Sequence, residues 1–374
     1  MTSRIDHATA RGHRIGAALW CALLIAGAGW GGWLLRHASL ARQDVRPAAW
    51  LDGSAGRALG KLLKLPAQSS VETVGAAVRY RLLGDLGEQA ALGCPQWMFY
   101  RDGLRPQPGV GAGVLDDRLR LMRHWTRQLR AQHIQVLVVA VPDKSRVEAA
   151  HLCGQPALPI MRERLDVWQA TLRRDGVPFV DLRPALMGRG QPVFFRTDVH
   201  MNAYGAKLAA DTVARAALPL LSDVKGTQSF TVGMPGQPEA RMGDLLVLAG
   251  LADAPRGWRP EVERAAPQRI EPVRSGGLLD DAPPVEVLLA GSSNGRRSHF
   301  AEWLGIGLGR EVWNLSMDGG QFSGALVAAL NARATWPQTL RLVIWEFSEN
   351  ALSLPLTDDE KAALKQLPDD SHST

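Results

Sequence analysis

Three runs of apolar residues restrict this chain more than any other feature: IQVLVVAVP at 134–142, VEVLLAG at 285–291 and LRLVIWEF at 340–347. A strand with one face in water alternates apolar and polar residues, whereas a near-continuous run rich in Val, Ile and Leu needs cover on both faces. Helices supply such cover, and helical spacing lies between the runs. Residues 114–132 place Leu115, Leu119, Met122, Trp125 and Leu129 on one face, 160–174 is again helical, and VPFVDL at 177–182 is a shorter strand. Further on, RSHFAEWLG (297–305), EVWNLS (311–316) and FSGALVAALNARATW (322–336) read as helix, strand and helix. The alternation predicts an α/β fold with a mainly parallel central sheet and helices on both faces.

Ahead of this core, an uncharged stretch at 15–35 lies between Arg14 and Arg36. At about 1.5 Å per residue it matches the hydrocarbon thickness of a bilayer. A retained single-pass anchor and a cleavable signal peptide both fit a run this rich in Gly and Ala; its length favours the anchor, with 1–14 on the cytoplasmic side. Arginines on both flanks leave the positive-inside count silent. Residues 36–92 read as a juxtamembrane connector with helical pieces, GRALGKLLKL among them, and a helical spacing over 71–86; WMFYR at 97–101 is a strand candidate. Pro, Gly and Arg break every periodicity over 253–284, which reads as a surface loop or a β-excursion inserted in the core. The acidic segment 353–374 reads as a peripheral tail.

Composition narrows the partners. Charged residues are 21% of the 374, and the net charge of +6 comes from arginines interleaved with acidic residues, as in RERLD. This favours a solvated Arg-rich surface over nucleic-acid binding and leaves attraction to an anionic polymer or membrane surface open. Of the three cysteines, Cys21 falls in the apolar stretch. Cys94 and Cys153 lie in the loops LGCPQW and HLCGQP, where an exported domain would bridge them; two unrelated buried thiols are the alternative. Neither has the company of a zinc site, and no metal or cofactor is expected.

Two stretches carry nucleophilic chemistry. In FFRTDVHMNAYGA (194–206) an apolar run meets Asp198 and His200 just ahead of a helix that Asn202 can cap. A carboxylate two residues from the imidazole can fix its tautomer and stabilise the imidazolium, which makes the other ring nitrogen a general base. A satisfied histidine at a helix start is the plain alternative. In VEVLLAGSSNG a buried strand ends in a Gly-Ser-Ser turn, and active sites in open α/β sheets lie beyond the carboxyl ends of strands. Ser293 then stands where a nucleophile would, close to backbone N–H groups and a helix N-terminus that can stabilise an oxyanion. Simple helix capping by Ser292 and Ser293 is the alternative. Gly291, Ser293 and Gly295 formally match G-x-S-x-G, yet the order Asp, His, Ser is not that of an α/β-hydrolase. Ser292, Asn294, Gly319 and Gly320 are candidates for the oxyanion site and Asn314 for a substrate carbonyl. Lys144 and Arg146 follow a strand end and can meet an anionic sugar, or serve as solvated or structurally paired charges.

Taken together, VPDKSRV (141–147), the D-x-H turn, GDLL (243–246), the GSS turn, NLSMDGG (314–320) and WEFSENAL (345–352) resemble the SGNH hydrolase-like periplasmic domain of the alginate O-acetyltransferase family, the AlgJ/AlgX type. The resemblance implies an SGNH-like fold with permuted motif order over about 93–352. It implies that Ser293 is acetylated, with His200 as base and Asp198 orienting it, and that the acceptor is an exopolysaccharide. It further implies a membrane acyltransferase of the MBOAT class as acetyl-donor partner, at the inner membrane with the catalytic domain in the periplasm. A carbohydrate acetylesterase sharing the acyl-enzyme, and an inactive scaffold or binding subunit of a polysaccharide modification and secretion complex, are the competing expectations.

Overall fold

The computed structural model describes residues 3–37, 46–51, 67–111, 113–222, 224–274 and 284–367, with single positions at 55, 56, 58 and 60. The chain divides into two compact units, 1–72 and 73–374. In the first, helix α1 (Ser3–His37) contains a stretch, 16–37, that is long and apolar enough to cross a membrane. The GRALGKLLKL segment lies mostly outside the described residues.

Helix α2 (Gln68–Leu83) precedes an antiparallel pair, β1 (Ala90–Leu92) and β2 (Met98–Tyr100). Helix α3 (Val114–Arg130) leads to β3 (Gln135–Val141), and α4 (Pro159–Arg174) leads to β4 (Phe179–Val180). After α5 (Ala203–Ala217) come four short strands, β5 (Phe230–Val232), β6 (Glu239–Arg241), β7 (Glu263–Ala265) and β8 (Ile270–Pro272), paired as β5 with β8 and β6 with β7. The alternation then resumes with β9 (Val287–Ala290), α6 (Phe300–Leu308), β10 (Val312–Asn314), α7 (Gly324–Asn331), β11 (Leu342–Ser348) and α8 (Asp358–Gln366).

Five strands form one parallel sheet in the order β10, β9, β11, β3, β4. Its three inner strands are the three apolar runs: β11 runs alongside β3 from Leu342 opposite Gln135 to Ser348 opposite Val141, and alongside β9 on its other edge. The two-residue period sorts their side chains. Val136, Val138, Leu288, Val343, Trp345 and Phe347 pack under α3, α4 and α7, where Phe322 meets Trp168 and Trp345 edge-on. Leu137, Val139, Val141, Val287, Leu289, Leu342 and Ile344 pack under α5 and α6. Each such side chain contributes about 1.5–3 kcal/mol on leaving water.

Three expectations change. Part of the 36–92 connector belongs to the core of the second unit, because Ala76, Ala77, Leu86 and Ala90 bury against Leu245, Leu246 and Ala249. The contacting face of α2 is Ala76 and Ala77 with Tyr80 packed beside them, and a helical spacing over 71–86 does not say what that face packs against. Of the two forms expected for 253–284 the described part takes the β-excursion, but its bound changes: the excursion starts at Phe230, because the partners of β7 and β8 lie upstream; residues 275–283 are outside the described set. The tail is not peripheral over 357–367. Thr357 and Glu360 form a capping box at the start of α8, and Glu360 is fully buried against Arg118.

Candidate active site

The loop from 192 to 200 has a single β-bridge, Phe194 to Met201, so most of its backbone groups need partners from elsewhere. Side chains distant in sequence supply them. Glu148 accepts from the Val193 and Phe194 N–H groups at 2.8 and 3.2 Å. Glu263, on β7, accepts from the Arg196 and Thr197 N–H groups, both at 2.8 Å. The Lys144 ammonium donates to the carbonyls of Met98, Arg196 and Asp198 at 2.7, 2.7 and 3.0 Å. The Asn202 side chain caps α5 through the Gly205 N–H, and a Cβ on Gly205 would stand 2.1 Å from the Val193 carbonyl oxygen. A glycine there lets the helix start hard against the loop. Asp198 and His200 are thereby fixed in place, 0% and 2% exposed.

The opposing half comes from the end of β9. Ser292 caps the one-turn helix Ser293–Arg296. Its N–H and hydroxyl donate to the two oxygens of Glu346 at 2.7 and 2.9 Å. Glu346 follows the two-residue period of β11, so it shares a face with Leu342 and Ile344, at the carboxyl end of the strand. Burial pushes its carboxyl up to about 7, which the Ser292 hydrogen bonds only partly offset. Asn294 Nδ2 donates to Ser348 Oγ at 2.9 Å. Asn314 Nδ2 donates to the Gly295 carbonyl at 2.9 Å, and its Oδ1 accepts from the Ser316 N–H at 3.0 Å. This bracing leaves Ser293 half-buried on the cleft floor.

Ser293 Oγ lies 2.7 Å from His200 Nε2, and His200 Nδ1 lies 2.6 Å from Asp198 Oδ1. Because Nδ1 faces the carboxylate, it carries the ring proton and donates; Nε2 is then left to accept from the Ser293 hydroxyl. Burial alone would raise the Asp198 pKa, but the hydrogen bond and charge of His200, with the charge of Arg241, outweigh it and hold it down at about 2. Arg241, on β6, donates to Asp198 Oδ2 at 2.7 Å and lies 4.4 Å over the Phe195 ring. The arrangement offers a hydroxyl, a base to take its proton, and an ionised carboxylate to hold the base.

The cleft above these groups is about 390 Å³. Ser292, Asn294, Gly319 and Gly320 line it, with Tyr100, Phe194, Val199, Val247 and Leu248 as apolar wall. Gly319 adopts φ +72°, a turn geometry, and the Gly320 N–H donates to the Met317 carbonyl at 3.3 Å rather than into the cleft. Lys144 reaches the cleft wall, yet its ammonium is taken by three carbonyls and lies 5.2 Å over Phe99; burial lowers it to about 7 in spite of the carboxylates around it. Arg146 is not in the cleft. It pairs with Glu349 at 2.6 Å inside a buried cluster that includes Arg164. Asn314 braces the serine turn instead of facing a substrate. Lys144 and Arg146 take the structurally paired of their two readings, and Asn314 is corrected from a substrate contact to a support: a strand end followed by a turn does not say which way the next side chains point.

Five residues received no role from the sequence: Glu148, Glu346, Arg241, Glu263 and Asp244. Glu346 carries a local signal, a lone charge in an apolar strand run, and Asp244 lies in the GDLL motif. Cys94 and Cys153 are joined, with Cα atoms 4.9 Å apart.

A family profile described as "SGNH hydrolase-like domain, acetyltransferase AlgX" matches residues 90–349. The chain is 26% identical to AlgJ of Azotobacter vinelandii, a "Probable alginate O-acetylase", over 75% of its own length and 74% of that protein's. The AlgJ of Pseudomonas putida is likewise 26% identical, over 76% and 75% of the two chains. The solved O-acetyltransferase domain of Pseudomonas putida AlgJ superposes with a TM-score of 0.62 at 24% identity, covering 74% of this chain and 98% of that one. AlgX of Pseudomonas aeruginosa shares the fold at a TM-score of 0.55 and 22% identity, over 69% and 62%. On a profile match spanning well over half of its length, the chain belongs to the family of SGNH hydrolase-like AlgX acetyltransferase domains.

Proposed function

We propose that this protein is an O-acetyltransferase that modifies an exopolysaccharide of the alginate type through an acetyl-Ser293 intermediate. The observation that carries the reading is the continuous series Asp198, His200, Ser293, with contacts of 2.6 and 2.7 Å, whose last two members line the cleft. Ser293 Oγ attacks the acetyl carbonyl of the donor while its proton passes to His200 Nε2, which returns it to the leaving group. An acceptor hydroxyl then gives its proton to His200, attacks the acetyl-serine and leaves as the ester, while His200 passes that proton to the departing Ser293 Oγ and both groups are restored. The names of the AlgJ relatives support both acetyl transfer and the polysaccharide class. The apolar stretch at 16–37 and the disulfide fit a membrane-anchored domain in an oxidising periplasm. An MBOAT-class membrane acyltransferase is the proposed donor.

Ser293→Ala lowers turnover of a chromogenic acetyl ester by on the order of 10³-fold or more, with the unfolding transition unchanged. Undiminished turnover rejects the assignment. With an oligosaccharide present, wild type yields acetylated sugar; free acetate alone would identify a hydrolase instead.

A further inference from the structure

The GDLL segment has no part in the chemistry above. Gly243 lies against the loop that carries Asp198: a Cβ there would stand 2.1 Å from the Thr197 carbonyl oxygen and 2.5 Å from its carbon, so a larger residue forces the two backbones apart. The Leu245 N–H donates to that same carbonyl at 3.1 Å, and Leu245 and Leu246 are fully buried. The segment is pinned on both sides of residue 244. The Asp244 N–H donates to Asp198 Oδ2 at 3.3 Å. Its own Oδ2 stands 3.3 Å from His200 Nδ1, the nitrogen that Asp198 Oδ1 meets at 2.6 Å. Its second oxygen faces the Arg297 guanidinium at 3.6 Å, and the side chain, 35% exposed, lies on the cleft wall. Two carboxylates stand beside one imidazole nitrogen, Asp198 hydrogen-bonded to it and Asp244 at ion-pair distance, and Arg241 and Arg297 each bring a cation to one of them.

We infer that Asp244 is a positioning residue for His200, a second carboxylate beside Nδ1 that shares with Asp198 the task of stabilising the imidazolium. The inference rests on the proposed roles of Ser293 and His200. The contact with Asp198 is short and buried and sets the tautomer. The longer contact with Asp244 gains strength as positive charge develops on the ring, so it favours the transition state over the ground state.

The test uses the full chain and a chromogenic acetyl ester. Asp244→Asn lowers kcat about tenfold and shifts KM less than about twofold, the scale of one partly buried ion pair. Asp198→Asn keeps residual turnover, which Asp198→Asn combined with Asp244→Asn lowers about tenfold again. The downfield proton resonance of the His200 Nδ1–H moves upfield in Asp244→Asn, and Asp244→Glu, which keeps a carboxylate, stays within about threefold of wild type. Unchanged kcat and resonance in Asp244→Asn, an effect confined to KM, or equal losses in the Asn and Glu variants would each overturn the inference. Ser293→Ala, run in parallel, separates the two failures. If it stays active, the nucleophile is misidentified; if it is dead while Asp244→Asn is unaffected, only the role of Asp244 falls.

Discussion

Asp198 sets two oxygens against four N–H donors: the backbone and ring of His200 on Oδ1, Arg241 and the Asp244 amide on Oδ2. A buried carboxylate without partners would give up its charge; these donors keep it ionised down to about pH 2. In the unfolded chain the same group titrates near 3.9, so the stabilisation from its charge is complete above about pH 5 and fades as pH falls toward 2. The stability gap between wild type and Asp198→Asn, measured by urea unfolding, should narrow by roughly 2 kcal/mol between pH 7 and pH 2.5; a constant gap contradicts the charge network. Asp198 and His200 were legible because a carboxylate and an imidazole two residues apart can meet within one short turn, although side chains distant in sequence hold that turn. Lys144 stayed between two readings in the sequence because its direction is decided by three carbonyls, two of them more than 50 positions away.

At the scale of the element, the apolar runs became the inner strands of the sheet, since a run with no polar alternation is soluble only when covered on both faces. Helix α8 shows the opposite case. Its sequence is acidic and reads as solvated, yet Glu360 reaches a fully buried Arg118 at 3.1 Å and also accepts from the Ser323 hydroxyl at 2.9 Å. Arg118 in turn donates to the carbonyl of Leu354, a residue of the cleft wall. Removing one partner strands a charge in the interior, so Glu360→Ala should cost about 3–5 kcal/mol in a urea titration, and Glu360→Gln, which keeps an acceptor oxygen, less. A loss below about 1 kcal/mol would mean that α8 is peripheral after all.

Across the whole molecule, one covalent link joins parts of the chain 59 residues apart. The Cys94–Cys153 disulfide ties the β1–β2 pair to the turn after Lys144, where Trp97 also stacks on His151 at 3.9 Å. Its loop constrains the unfolded state by roughly 4 kcal/mol in the chain-entropy model. Replacing both cysteines by alanine should lower the urea midpoint accordingly, and an unchanged midpoint would show that the bridge does not constrain the unfolded chain. Determined by the sequence alone were the α/β class, the membrane-length apolar stretch, and the identity of Asp198, His200 and Ser293 as candidates, because each rests on a period or spacing within a few residues. Left to the tertiary structure were the supports: Lys144, Glu148 and Glu263 on the Asp198 loop, Glu346 behind the serine turn, and Asp244 beside the imidazole. Their partners are backbone groups and side chains dozens of residues away. The pairing of buried polar groups depends on which segments fold against one another, and no local pattern encodes that.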